Sequence, residues 1–536
     1  MLYQRGIQMV SKHLRDNANK NLLTDTYSFE NFKEYNGLYV DKTEYLYKLI
    51  SSGKRLYFFS RPRRFGKSLT LSTLKAIFQG KKELFKDLYI ENQSYDWKKY
   101  PVIHIDMGSN SSSSPEHLEQ SLLYKIQDIA EEYNIKLTRK FASDAFEELI
   151  RKLYDREGKT VILIDEYDKP ILNNIELKNI DEFQKIMKGF YSVLKTCEAY
   201  ERFVFITGVG KFLKVSIFSD LNNLNDISMS DDYAAMCGYT EKELEDNFKS
   251  KISAIAEREE IEYDVLFQKI KKWYDGYQFS IDGENVYNPV SFAKFLDNKG
   301  RFNNYWFETG SPSIVIKLMK TKNINIEEIV SKTYSEDVFT AYMPSRIAFI
   351  PMMYQTGYLT IKGTEKNRDQ ESTSYRLGFP NKEVEESFYR RLITSADDNE
   401  IGSSLAYDIR ESIKQNDIDG MMSILKNFFA AIPYDIQIVC EKYYQSLFYA
   451  IFKTLGYSIN AEAHTSNGRI DAVIENDENL YIFEFKLDKS EKAALDQILN
   501  KEYYLAYQNK GKKITLIGAN FNSETRRLSE WVTKTC

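Results

Sequence analysis

Short apolar runs alternate with segments of helical period up to about residue 228, and beyond it the alternation stops. The first run, residues 56–59, opens onto a helix-patterned stretch at 69–78. Further strand-like runs fall at 101–106, 160–164 and 202–208, with helical segments across roughly 116–155. Residues 161–164 are apolar at every position rather than alternating, which predicts a strand buried on both faces, and the alternation of strands with helices predicts a parallel sheet in an α/β architecture. Residues 230–345 read as mostly helical, with turn signals at Asp275-Gly276, Asp282-Gly283, Asn288-Pro289 and Ser311-Pro312. Short strands are expected at 357–362 and 375–379, then helices to about 432. A last helix, 441–455, sets Glu441, Tyr444, Phe448, Ile451 and Leu455 on one face, and strands at 469–474 and 480–486 follow it.

The polar residues that close these runs carry the chemistry. After the first run comes Arg61-Pro62-Arg63-Arg64-Phe65-Gly66-Lys67-Ser68, and then a helix. A strand, a turn ending in Gly-Lys-Ser and a helix build the phosphate cradle of a P-loop nucleotide-binding domain, where backbone N–H groups and the helix N-terminus favour an anion. Gly66 belongs to the turn, Lys67 reaches the phosphates of ATP, Ser68 holds Mg²⁺, and Arg63 and Arg64 are candidates for further phosphate contacts. The run at 160–164 ends in Asp165-Glu166, with Asp165 expected to hold Mg²⁺ and Glu166 to orient or deprotonate a water. At the end of the run at 202–208, Thr207 or Lys211 is a candidate sensor of the terminal phosphate.

Composition narrows the class without changing this picture. The 536 residues exceed one core, so several domains are expected. A net charge of −5 gives no whole-molecule attraction to nucleic acid, so any such binding needs a local basic patch. No stretch of about 18 apolar residues and no apolar signal core near the N-terminus is present, which predicts a cytoplasmic chain without a membrane span. Cys197, Cys237, Cys440 and Cys536 form no C-x-x-C pair, and the histidines are equally dispersed, which argues against zinc.

The strand at 480–486 carries a second constellation. Alternation puts Ile482, Glu484 and Lys486 on one face and Tyr481, Phe483 and Phe485 on the other. Two charges on a buried strand are costly unless paired or bound to metal. A hairpin turn at 475–479 brings Asp471 beside Glu484, and the two carboxylates with the Phe485 carbonyl make a hard-oxygen site for Mg²⁺, or Mn²⁺. Lys486 then positions a water or stabilises phosphate charge, Glu441 upstream adds a further carboxylate, and Gln497, Lys501 and Tyr504 share a helical face suited to backbone phosphates. A plain buried ion pair between Lys486 and Glu484 or Asp471 is the alternative.

With these motifs the chain resembles the bacterial AAA-ATPase-like family, in which a P-loop ATPase of the archaeal-ATPase/STAND type precedes a PD-(D/E)XK nuclease superfamily domain. The resemblance rests on Tyr39-Val40-Asp41-Lys42-Thr43, Arg61 to Ser68, Ile164-Asp165-Glu166-Tyr167-Asp168-Lys169-Pro170, Thr207-Gly208-Val209, Ser219-Asp220-Leu221-Asn222-Asn223-Leu224, Trp273-Tyr274-Asp275-Gly276-Tyr277 and Asn467-Gly468-Arg469-Ile470-Asp471-Ala472-Val473. It implies nucleotide and Mg²⁺ roles for Lys67, Ser68, Asp165 and Glu166, and a nuclease core of Asp471, Glu484 and Lys486. Two positions depart from the pattern: Arg61 replaces the first P-loop Gly, with room to crowd the phosphates, and Ile470 stands where the nuclease motif is named for Pro. The expected organisation is a leader at 1–54, the ATPase core at 55–227, a helical lid or winged-helix-like region at 228–345, a mixed connector at 346–432 and the nuclease-like domain at 433–536. The function so read is ATP-regulated, Mg²⁺-dependent cleavage of DNA by a protein free to form homo-oligomers. The rivals are a nucleotide-switch signalling or interaction protein whose nuclease-like domain only binds, and an ATPase acting on mobile DNA.

Overall fold

A computed structural model describes residues 17, 19–108, 113–174, 177, 179–211, 217–218, 220–306, 326–339, 349–367, 372–394, 402–431, 441–455, 457–465, 468–525 and 527–536. Ser219, the Ser311-Pro312 turn, Asn467 and the side chain of Glu441 lie outside these residues. The chain divides into two compact units, Met1–Glu308 with Tyr334–Glu383, and Thr309–Thr333 with Val384–Cys536. No helix among the described residues is long and apolar enough to cross a membrane.

The first unit is built on a parallel sheet. In chain order its elements are α1 (Thr43–Ser51), β1 (Leu56–Ser60), α2 (Lys67–Phe78), β2 (Val102–Asp106), α3 (Pro115–Glu132), α4 (Ala142–Glu157), β3 (Thr160–Asp165), α5 (Ile180–Thr196), β4 (Glu201–Gly208) and β5 (Asn225–Asp226). The strand order is β2-β3-β4-β1-β5, parallel at every pairing. Strands β1 and β3 are buried along their whole length, which is why they read as continuous apolar runs. On one face Phe58, Ile162, Val204 and Ile206 pack with α3, α4 and α5. On the other, α2 lays Phe78 against Phe203, ring centroids 5.0 Å apart. This order matters for chemistry because β4 lies between the strand before the basic turn and the strand ending in Asp165. Its register sets Thr207 beside Phe59, and Ile206 beside Ile164.

After β5 three helices, α6 (Glu241–Arg258), α7 (Tyr263–Tyr274) and α8 (Pro289–Asp297), share a core with Leu38 and Val40 from ahead of the sheet. Thr240 and Glu243 start α6 with a reciprocal capping box. An antiparallel hairpin, β6 (Thr360–Asn367) and β7 (Ser372–Gly378), follows.

The second unit holds a mixed sheet. Its elements are α9 (Glu441–Thr454), β8 (Ser458–Thr465), β9 (Gly468–Glu475), β10 (Asn479–Leu487), α10 (Glu491–Asn500), β11 (Lys513–Asn522) and β12 (Arg527–Thr535), preceded by helices Gly402–Lys414 and Ile418–Ala431. The strand order is β12-β11-β10-β9-β8, with only β10 and β11 parallel. The two faces of β10 divide as its alternation predicts. Phe483 and Phe485 meet Phe448 of α9 at 4.8 and 4.9 Å, while Leu480 and Ile482 pack with Ile498 of α10.

Candidate functional site

The basic turn starts where β1 ends: the Arg61 N–H donates to the Gly208 carbonyl of β4 at 3.2 Å. It closes at Gly66, whose φ of +97° lies in the left-handed region that only glycine adopts without strain, and α2 begins at the next residue. Lys67 is 6% exposed, and its Nζ donates to the carbonyls of Arg61 and Pro62, each at 3.0 Å. Burial lowers its pKa, opposed by the nearby Asp165, Glu166 and Asp168. Ser68, next on α2, is half-buried.

Phe65, Arg64 and Arg61 face the protein. Phe65 packs edge-on against Tyr277 and Phe279, at 4.7 and 5.3 Å. Arg64 holds a φ of +68° and donates from Nη1 to the Tyr305 carbonyl at 2.7 Å, while Arg63 is half-buried. Arg61 does not crowd the phosphate side. Its guanidinium, 1% exposed, lies between the rings of Phe59 and Phe279 at 4.3 and 4.2 Å. It donates to the carbonyls of Ser60 and Ser228 at 2.9 and 2.6 Å, and to those of Tyr233 and Ala234 at 3.1 and 3.2 Å. Burial pushes its pKa down to about 10. Arginine therefore replaces the usual glycine as an internal brace between the turn and residues 228–234. Restoring that glycine, Arg61→Gly, is expected to lower stability by about 3–5 kcal/mol, since four carbonyls lose their donor and two aromatic faces their partner. Denaturant unfolding checks this, and a variant as stable as wild type would remove the brace.

Asp165 ends β3 almost fully buried, and its Oδ1 accepts from the Thr207 hydroxyl at 2.6 Å and from the Glu166 N–H at 2.9 Å. Thr207 thus touches the acidic strand end directly, whereas the other sensor candidate, Lys211, pairs with Asp226 at 3.2 Å. Glu166 holds a φ of +51°, a strained setting common at functional turns, and pairs with Lys169 at 2.9 Å. Asp106, which no motif in the sequence marks, ends β2 in register with Asp165. A Cβ on Gly108 would sit 2.8 Å from Asp106 Oδ1 and 2.6 Å from Glu166 Oε2, so both carboxylates flank that glycine. The rule that singled out Asp165, an acid at the carboxyl end of a buried strand, applies equally to Asp106. A small, largely apolar cleft lined by Tyr39, Val40, Phe65, Leu69, Thr70 and Cys237 adjoins Gly66.

In the second unit the β9–β10 ladder pairs Ala472 with Phe483, and the same antiparallel count sets Asp471 opposite Glu484 on one face. The Asp471 carboxylate accepts the Phe485 N–H at 2.7 Å, so it reaches the backbone between Glu484 and Lys486. Glu484 is 1% exposed, and its Oε1 accepts from Lys486 Nζ at 2.8 Å and from Gln497 Nε2. Lys486 Nζ also donates to the Phe485 carbonyl at 3.1 Å. An ammonium therefore bridges a carboxylate and a carbonyl, two of the oxygens expected to bind a hard cation. Among the described residues no three His, Cys, Asp or Glu side chains gather as a metal site, so the oxygen set here is two carboxylates and a carbonyl.

Gln497 reaches this cluster because α10 lies unusually close to the sheet. Gly518, in register with Glu484 on β11, would put a Cβ 2.3 Å from the Glu491 carbonyl and 2.5 Å from the Leu495 nitrogen. Any side chain there would lift the helix and withdraw Gln497. The shared helical face expected for Gln497, Lys501 and Tyr504 breaks after the first of them. The α-helix ends at Asn500, Lys501 caps it through an N–H to the Gln497 carbonyl, and Glu502 turns left-handed with a φ of +50°. Lys501 is exposed, and Tyr504, in the following 3₁₀ stretch, packs half-buried against the core.

Residues 25–218 match the family described as Predicted AAA-ATPase, and residues 439–531 match the PD-(D/E)XK nuclease superfamily. A relative in Azotobacter chroococcum mcd 1, the "Uncharacterized protein in vnfD 5'region", is 35% identical over 508 residues, 92% of this chain and 95% of its own length. Two solved structures are similar over 65% of this chain. The Aeropyrum pernix ORC2 protein in ADPNP-ADP complexes shows 12% identity, 89% of its chain covered and a TM-score of 0.27. The Aeropyrum pernix ORC1 protein in complex with DNA shows 11% identity, 90% of its chain covered and a TM-score of 0.23.

Proposed function

We propose that this chain, which belongs to the AAA-ATPase-like family with a C-terminal PD-(D/E)XK nuclease superfamily domain, is an ATP-regulated, divalent-metal-dependent nuclease that cuts DNA. The observation that carries the reading is the convergence of Asp471, Glu484, Lys486 and the Phe485 carbonyl at one strand edge. Its donors suit a hard cation such as Mg²⁺ or Mn²⁺, which when bound supplies a Lewis acid for the phosphodiester and a more acidic water. Asp471 and Glu484 would hold that ion, with Glu441 a further candidate. Gln497 fixes the Glu484 rotamer. Lys486, on the same face of β10 as Glu484, would orient water and offset charge developing on the phosphate. Lys501, exposed at the end of α10, is a candidate contact for the DNA backbone.

In the first unit, Lys67 and the N–H groups from Gly66 onward would hold the ATP phosphates. Ser68 and Asp165 would hold Mg²⁺, Glu166 would direct the attacking water, and Thr207 would report the terminal phosphate. The cleft beside Gly66 offers the base an apolar surface. ATP then acts by binding one conformation of this unit better than another.

The test is plasmid DNA incubated with Mg²⁺ or Mn²⁺, with and without ATP. Metal-dependent nicking or linearisation whose rate changes with ATP is the expected outcome. Retarded but intact DNA under all four conditions would replace the nuclease reading with that of a nucleotide-switched binding protein.

A further inference from the structure

Of the acidic residues near the nucleotide site, Asp168 has no role in the chemistry above and makes the most unusual contacts. It is 1% exposed, and its Oδ2 accepts two consecutive backbone N–H groups, Val209 at 3.0 Å and Gly210 at 2.9 Å. Its neighbour Tyr167 grips the same turn from both ends. The Tyr167 N–H donates to the Thr207 carbonyl at 2.9 Å, and its hydroxyl donates to the Gly210 carbonyl at 2.8 Å. The turn lies so close that a Cβ on Gly208 would sit 2.4 Å from the Tyr167 ring and 2.8 Å from Asp168 Oδ1. Residues 207–210 are therefore seated on the exit of β3, and Thr207, first in that turn, donates its hydroxyl to Asp165.

A carboxylate is a costly choice for this seat. Oδ1 has no hydrogen-bond partner among the described residues, and burial pushes the pKa up to about 6. What the charge adds is strength: an ionised acceptor holds the Val209 and Gly210 N–H groups more tightly than the neutral oxygen of asparagine would.

We propose that Asp168 is a positioning residue for ATP hydrolysis: by seating the turn at 208–210 it holds the Thr207 hydroxyl against Asp165 and keeps that carboxylate aimed at the nucleotide site. The proposal rests on the nucleotide reading given above. Asp168→Asn is expected to lower kcat for ATP about tenfold or more while KM stays within about threefold, because the seat acts on the hydrolytic arrangement and not on the phosphate cradle. Hydrogen exchange of the amides at 207–211 in the ATP-free protein is expected to speed up at least about tenfold as the charged acceptor is lost. Thr207→Ala should reproduce the kcat loss, and adding Asp168→Asn to it should cost little more, since the two act through one contact. A kcat within twofold of wild type for Asp168→Asn, or full additivity in the double variant, would overturn the assignment. If wild type neither binds nor hydrolyses ATP, the nucleotide reading has failed instead. The exchange comparison still decides the seat, and unchanged exchange at 207–211 in Asp168→Asn overturns it too.

Discussion

Replacing Glu484 with glutamine, or Asp471 with asparagine, is expected to reduce metal-dependent DNA cleavage by about 10³-fold or more, the scale of losing a principal group for transition-state charge. Both changes keep side-chain volume and one acceptor oxygen. Asparagine at 471 can still take the Phe485 N–H, so β9 and β10 stay in register. What is lost is charge on one face of one strand edge, and with it the affinity for a hard cation. Glu484→Gln has a second consequence, because the ion pair between Lys486 and Glu484 becomes a hydrogen bond to a neutral oxygen. A stability loss of about 1–3 kcal/mol is therefore expected for that variant, and less for Asp471→Asn. Cleavage rates at saturating Mg²⁺, measured beside unfolding curves, separate the two effects. Nucleotide binding by the other unit should be unchanged in both. If Asp471→Asn cuts DNA within tenfold of wild type, the carboxylate pair is a structural ion-pair site and not a catalytic one.

Features that depend on neighbours along the chain were legible in the sequence. The runs behind β1, β3 and β4 lie where their composition puts them, because a strand covered on both faces needs apolar residues at every position. The alternation in β10 likewise sorts Glu484 from Phe485, and the short turn after Glu475 brings Asp471 opposite Glu484. Features set by distant partners were hidden. Arg61 reads as a flaw in a phosphate-binding motif, yet Phe279 and the carbonyls at 228–234 turn it into a brace. Gln497 reads as a backbone-phosphate contact, and the small size of Gly518 on another strand brings it to Glu484 instead. The hairpin of β6 and β7 runs longer than its apolar signal because Gly363 to Lys366 hold no apolar side chain and are half-buried or exposed, and the two-residue β5 carries no apolar signal at all. Asp168 gave no local sign of its role, since the N–H groups it gathers lie 41 and 42 positions away.

Lys67→Met is expected to weaken ATP binding by about 10²–10³-fold, or about 3–4 kcal/mol, the scale of two charge-assisted phosphate contacts. In the absence of nucleotide the ammonium is held by the Arg61 and Pro62 carbonyls, which are neutral acceptors, so phosphate oxygens compete for it favourably. Its surroundings raise the stakes: Asp165, Glu166 and Asp168 all favour the charged lysine, and without it those carboxylates meet an incoming polyphosphate with one positive charge fewer beside them. Methionine keeps the apolar stem packed and removes only the charge. Arginine does not rescue, because a planar guanidinium cannot take the place of a compact ammonium between two carbonyls of one tight turn. Titration with a fluorescent ATP analogue gives the affinity, and thermal unfolding confirms that α2 is intact. Coupled to DNA cleavage, the same variant should cut at the rate wild type shows without nucleotide and ignore added ATP. Cleavage that still responds to ATP in Lys67→Met would place the regulating nucleotide somewhere other than this turn.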